Sequence, residues 1–155
     1  MRLAKMCLPF LTCAALCYLD KEVHGQSSAT IQTYLSEANK NCSLYAYQEN
    51  FRGRIPGADH PITIASYTVE SCGGSNQAER TVGVFYEADG RVKQYKPPDP
   101  PIPGPDVDDS NGVTVRGTQI TVRYSDYGPD DPRCCPSLKR TANYRLTNGG
   151  IVPVR

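Results

Sequence analysis

The stretch Arg80-Thr-Val-Gly-Val-Phe-Tyr-Glu-Ala-Asp-Gly-Arg-Val-Lys-Gln-Tyr-Lys96 decides the fold. From Arg80 to Glu87 the apolar residues recur with period two, which places Val82, Val84 and Tyr86 on one face of a strand. Ala88-Asp89-Gly90 follows, and an Asp-Gly pair accepts the positive φ that a tight hairpin turn demands. Val92 to Lys96 then returns as the partner strand. An antiparallel hairpin is the reading, and its pattern extends both ways along the chain.

Upstream, Ile62 to Glu70 reads as a strand, and Cys72-Gly-Gly-Ser-Asn as a turn. Residues 43–61 are irregular. A brief alternation makes Ser43 to Gln48 a short strand, and Arg52-Gly-Arg-Ile-Pro-Gly-Ala-Asp-His-Pro is a loop by its glycine and proline content. Earlier still the period changes. Ile31, Tyr34, Leu35 and Ala38 form one helical stripe, Ser27 and Ser28 supply a cap, and Asn39-Lys40-Asn41 supplies a stop because Asn tolerates a left-handed turn. The spacing predicts a helix over 29–40.

Downstream, Pro97 to Pro105 holds six prolines in nine residues. Such a run prefers polyproline II and has few donors for a sheet. It reads as a stiff crossing segment rather than a domain boundary, and Asp106 to Gly112 completes it as a loop. Val113 and Val115 begin a short strand. Thr118 to Tyr127 is the next, with Ile120, Val122 and Tyr124 sharing a face. Leu138 to Thr147 follows, with Ala142, Tyr144 and Leu146 aligned. Asn148-Gly149 is a hairpin turn into Ile151 to Val154. No internal repeat is present. The expected class is α+β: one short N-terminal helix followed by a mostly antiparallel β-meander or small barrel, braced by disulfides.

The first twenty-five residues address the protein. Arg2 and Lys5 make a positive start, Met6 to Leu19 is apolar and uncharged, and Asp20, Lys21 and Glu22 end the run. The run falls short of the roughly 20 apolar residues a membrane span needs and has the form of a secretory signal. Cleavage is expected after Gly25, leaving 26–155 as a single small β-rich domain. A lipid-bearing cysteine is the rival reading. Cys17 is the best placed, after Ala14 and Ala15, but Leu16 precedes it directly, so no lipid anchor is expected.

Removing residues 1–25 takes away Arg2, Lys5, Lys21, Asp20 and Glu22 from a chain of 17 basic and 16 acidic residues, which leaves it formally neutral. Nucleic-acid binding shows as a basic surplus or stripe, so no nucleic-acid partner is expected. No later apolar run is long enough to span a membrane. With no Trp, 3 Phe, 13 Gly and 13 Pro, the core must come mainly from Tyr, Val, Ile and Leu. A chain of this size buries roughly two-thirds of its unfolded surface.

Cys42, Cys72, Cys134 and Cys135 remain after processing, an even set that reads as disulfides in an exported protein. The favoured pairing sends Cys134 and Cys135 outward, one to Cys42 and one to Cys72, with about 4 kcal/mol from each long loop. A bond between the neighbours Cys134 and Cys135 is the alternative, and as a strained disulfide it would be the reducible one.

Catalytic chemistry finds few footholds. His60 is the one histidine beyond the leader, and a thiol nucleophile at Cys134 or Cys135 would need it as base. Adjacent cysteines fit one tetrahedral zinc poorly, and neither a Cys-x-x-Cys spacing nor a Gly-x-Ser-x-Gly elbow is present. Asp126, Asp130 and Asp131 sit in one turn, where their ordinary role is to bond local amides. Asp106-Val-Asp-Asp-Ser-Asn-Gly112 looks like an EF-hand opening, but its glycine stands one place late, and with Gly112 taken as the sixth position Thr118 stands where Glu is needed. Asn41-Cys-Ser43 is a glycosylation sequon only in a eukaryotic host. No catalytic residue, metal or cofactor is expected.

Gly128-Pro-Asp-Asp-Pro-Arg-Cys-Cys-Pro-Ser137, flanked by Ile120-Thr-Val-Arg-Tyr and Thr141-Ala-Asn-Tyr-Arg, resembles the C-terminal signature of the LppP/LprE lipoprotein family. The resemblance implies a bacterial envelope setting, periplasmic or secreted, and a small disulfide-bearing β-rich domain; it transfers no catalytic residue. The expected function is that of a non-enzymatic binding or structural module facing an envelope protein or cell-wall component. The alternative is a small envelope hydrolase or thiol-redox enzyme with its chemistry near Cys134–Ser137.

Overall fold

The computed structural model describes residues 28–74, 78–106, 109, 111–132 and 135–155. The leader expected over 1–25, the capping role of Ser27 and the thiol of Cys134 lie outside them. Helix α1 (Ser28–Ala38) opens the described chain. It stops at Asn39, whose backbone N–H and side-chain amide both donate to the Leu35 carbonyl, at 3.0 and 2.8 Å. None of Asn39, Lys40 and Asn41 adopts positive φ. Side-chain capture of a terminal carbonyl ends the helix, not a left-handed turn.

Eight antiparallel strands then form two four-stranded sheets, each a simple meander. The first contains β1 (Ser43–Gly53), β2 (Ile62–Glu70), β3 (Ala78–Ala88) and β4 (Arg91–Gln94), in that order. The second contains β5 (Val113–Arg116), β6 (Gln119–Asp126), β7 (Leu138–Thr147) and β8 (Gly150–Val154). No closed barrel is formed among the described residues. The break between the sheets falls at the proline run, which lacks the donors to extend a ladder. The run still serves the first sheet. Beyond the short β4, the Ile102 carbonyl accepts from Val82 N–H at 3.1 Å and from the Thr81 hydroxyl at 2.7 Å, while Gly104 N–H donates to the Arg80 carbonyl at 3.0 Å. Proline-rich backbone thus covers part of the β3 edge, which would otherwise be open to pairing with another chain.

β1 is longer than its sequence suggests. Its register with β2 shifts between Leu44 and Ala46 and again between Glu49 and Phe51. Each shift inserts a residue and inverts the alternation, so the apolar pattern of 43–53 looks irregular in sequence while the backbone stays paired. The β3–β4 turn follows expectation: Asp89 and Gly90 have φ of 56° and 69°.

The first sheet is buried on both faces, which is why β2 is buried along nearly its whole length. On one face Ile62, Ile64, Val82 and Val84 meet Val113, Ile120, Val122, Tyr144, Leu146 and Ile151 of the second sheet, with Ile55 and Ile102 added from the connections. On the other, Ala65, Tyr67, Val69 and Phe85 meet Ile31 and Leu35 of α1. Each of these helix side chains, removed from water, contributes about 1.5–3 kcal/mol. The layers therefore run helix, sheet, sheet.

Cys42 is bonded to Cys72. This corrects the expectation that each reaches to Cys134 or Cys135. The end of α1 and the β2–β3 connection are already neighbours, since Gly73 N–H donates to the Asn41 carbonyl at 3.1 Å, so local geometry decides the pairing. No helix among the described residues is long and apolar enough to cross a membrane.

Candidate functional site

The β6–β7 connection, described at 127–132 and 135–137, is held by a carboxylate of its own. It springs from the paired ends Asp126 and Leu138. Asp131 closes it from within. Its carboxylate accepts from Gly128 N–H at 2.7 Å, from Ser137 N–H at 2.7 Å and from the Ser137 hydroxyl at 2.8 Å. These donors, the two backbone amides foremost, hold the Asp131 carboxyl below the usual carboxylate range. Gly128 permits the approach, because a Cβ there would stand 3.3 Å from the Asp131 carboxylate. Pro132 adds its carbonyl, which accepts from Cys135 N–H at 3.0 Å.

A second carboxylate ties the neck of this loop to the end of the proline run. Asp106 accepts from Ser125 N–H at 3.1 Å, the Ser125 hydroxyl at 2.8 Å and Lys139 Nζ at 2.8 Å. Ser125 and Lys139 face each other across the β6–β7 ladder, so one carboxylate grips both strands. The Lys139 ammonium is the main cause that holds Asp106 below its ordinary pKa. Alongside, Asp109 pairs with Arg123 at 3.2 Å and Asp126 with Arg140 at 3.9 Å. The carboxylate oxygens of 106, 109 and 131 are thus engaged by protein donors. Among the described residues no three His, Cys, Asp or Glu side chains come together to hold a metal; Asp108 and Ser110 of the acidic loop lie outside the described residues.

Two large apolar side chains flank the neck: Tyr127 is 53% exposed and Leu138 37%. Asp131 is satisfied within the loop, while Asp130 and Ser137 stay exposed beside Tyr127 and Leu138.

Among the described residues, those proposed for thiol or serine chemistry have other partners. The Ser137 hydroxyl donates a hydrogen bond to the Asp131 carboxylate. His60, between β1 and β2, stacks on Tyr86 with ring centroids 5.5 Å apart and planes 14° from parallel, and Tyr86 in turn contacts Tyr95 at 4.8 Å. Among the described residues no hydrogen bond joins His60 to Cys135 or Ser137. Cys135 is disulfide-bonded. Sequence reasoning named Asp106 only within an EF-hand-like stretch and missed its partners Ser125 and Lys139, 19 and 33 positions away. It also missed the ring series His60–Tyr86–Tyr95. Elsewhere, an open groove of about 720 Å³ runs between α1 and β1, lined by Gln32, Thr33, Ser36, Glu37, Lys40 and Leu44. Its mixed polar lining lacks any cluster of titratable groups suited to acid–base work.

Fold and site together define a two-sheet antiparallel domain with a carboxylate-clamped hairpin loop. Over residues 92–149 the chain matches the model of the LppP/LprE lipoprotein family. The match runs from β4 through the proline run and the clamped loop to the β7–β8 turn, so the likeness covers the C-terminal half. No curated protein and no solved structure matches the chain.

Proposed function

We propose that this protein is an exported bacterial envelope protein, periplasmic or secreted, that works as a non-enzymatic binding module. Its recognition element is the 127–138 loop, and its partner is an envelope protein or cell-wall component. The leader reading of 1–25 and the likeness to a lipoprotein family over 92–149 support the address. The observation that carries the binding role is the fixed loop: Asp131 takes three hydrogen bonds within it while Tyr127 and Leu138 stand exposed at its neck. Fixing a loop before contact lowers the entropy lost on binding, and a tyrosine suits the centre of such a contact.

Site-specific photocrosslinking in the producing cell tests this. A crosslinker at Tyr127 is expected to give one discrete adduct in the envelope fraction. The same group at the exposed Tyr45 of β1 should not, and Asp131→Ala, which frees the loop, should abolish the adduct. Equal labelling from both positions, or none from 127, would overturn the reading.

A further inference from the structure

We propose that the outward face of the second sheet binds a polysaccharide whose sugars carry carboxylates, held by Arg116 and Arg145. This surface is separate from the 127–138 loop, and Tyr127 crosslinking reads that loop independently. The first sheet is covered by α1 on one side and by the second sheet on the other. The far side of the second sheet is open: Gln119 and Arg123 of β6, and Lys139, Thr141 and Arg145 of β7, all stand exposed.

Charge on this face is one-sided. Asp126 is the sole acidic residue of β5–β8. It alternates with the buried Ile120 and Val122, and it pairs with Arg140. The outward positions therefore hold Arg116, Arg123, Lys139 and Arg145 with no carboxylate from their own strands. At one end the chain before β5 supplies the anions: Asp109 meets Arg123 and Asp106 meets Lys139. At the other end none is supplied. Among the described residues neither the Arg116 nor the Arg145 guanidinium has a hydrogen bond or ion pair. Arg116 lies opposite Gln119, and Gln119 opposite Arg145. The two arginines are thus two strands apart, about 10 Å at the backbone.

The ground between them is polar and held in place. Asn143 Oδ1 accepts from the Thr121 hydroxyl at 2.8 Å and from Gln119 Nε2 at 3.4 Å. The Asn143 N–H groups and the Gln119 side-chain carbonyl keep no partner among the described residues. A guanidinium fork matches a carboxylate two bonds at a time. Arg123 already holds the Asp109 carboxylate in this way on the same face, through contacts of 3.4, 3.3 and 3.2 Å. Fixed amides suit sugar hydroxyls, which both donate and accept. A protein partner would want an apolar centre, but the exposed Val152 lies on the edge strand β8. An anionic membrane draws on clusters of roughly 4–8 basic residues, and this face offers it Arg116 and Arg145.

Native gels cast with polygalacturonate test the proposal on the exported protein, with neutral dextran and polyglutamate as comparison polymers. Polygalacturonate should retard the protein and dextran should not, and the effect should weaken between about 0.05 and 0.5 M salt. Arg116→Gln with Arg145→Gln should raise the apparent Kd roughly tenfold, as expected for two exposed contacts each worth little alone. Arg116→Lys with Arg145→Lys should bind between these limits, because the charge returns without the fork. Arg91→Gln with Lys96→Gln makes the same charge change at exposed positions on and beyond β4, and should leave binding unchanged. Thermal melts establish that each variant is folded. No retardation of the wild type, or equal losses from the two Gln pairs, would overturn the site. Binding of polyglutamate as tight as that of polygalacturonate would show that carboxylates alone suffice, and would overturn the polysaccharide as occupant.

Discussion

Replacing both Cys42 and Cys72 with Ser should destabilise the protein by about 3–4 kcal/mol. The magnitude follows from the 30 positions that the bond closes. In the chain-entropy treatment a loop of that length gives about 3.6 kcal/mol at 25 °C, from the restriction placed on the unfolded chain. For a domain of this size that is a fall in Tm of roughly 10–18 °C. Urea unfolding supplies the free energy, and a thermal melt the midpoint. Both cysteines pack against the cluster under α1, so a packing loss must be separated from the loop effect. The Cys42→Ala/Cys72→Ala pair does this, since alanine leaves no hydroxyl against apolar neighbours. If restriction of the unfolded chain dominates, the Ser and Ala pairs lose nearly the same amount, and both match the wild type with this bond reduced. A loss under about 1 kcal/mol in both pairs would refute the entropic argument. A large gap between them would move the effect into the folded core.

Gly83→Ala should cost about 1–3 kcal/mol by overpacking, because a Cβ there would lie 2.4 Å from Phe85 Cζ and 3.1 Å from Tyr67 Cε1. In a double-mutant cycle read by urea unfolding, Phe85→Leu should recover part of that cost; simple additivity would show that the ring is not the obstacle. Asp106 predicts a pH effect. Its folded pKa is depressed, chiefly by Lys139, so its stabilisation is full above the unfolded value of about 3.9 and is lost as pH falls through the folded value. Urea midpoints taken from about pH 6 to pH 2 should converge for wild type and Asp106→Asn at the acid end; parallel curves would remove Asp106 from the account.

The parts legible in sequence are those whose causes are local. The Asp89-Gly90 turn needs two positive φ angles and names the residues that accept them. The stripe Ile31, Leu35 needs only one helix to define its buried face. The second hairpin likewise turns at Asn148-Gly149 as expected, between the paired Thr147 and Gly150. Reading failed where a distant partner decides. β1 was legible only to Gln48, because bulges against β2 invert its pattern. The cysteine pairing could not be read from a count of four, since the choice rests on which backbone segments already lie together at Asn41 and Gly73. The candidate site is the extreme case. Asp131 and Ser137 are close in sequence and their mutual role could be suspected from turn chemistry. Asp106 could not, because its partners Ser125 and Lys139 arrive from 19 and 33 positions away. What brings Asp106 to them is the proline run, whose backbone accepts from β3 at Ile102 and then delivers the next residues to the second sheet. A segment unable to extend a ladder is therefore what joins the two sheets at the loop proposed to do the binding.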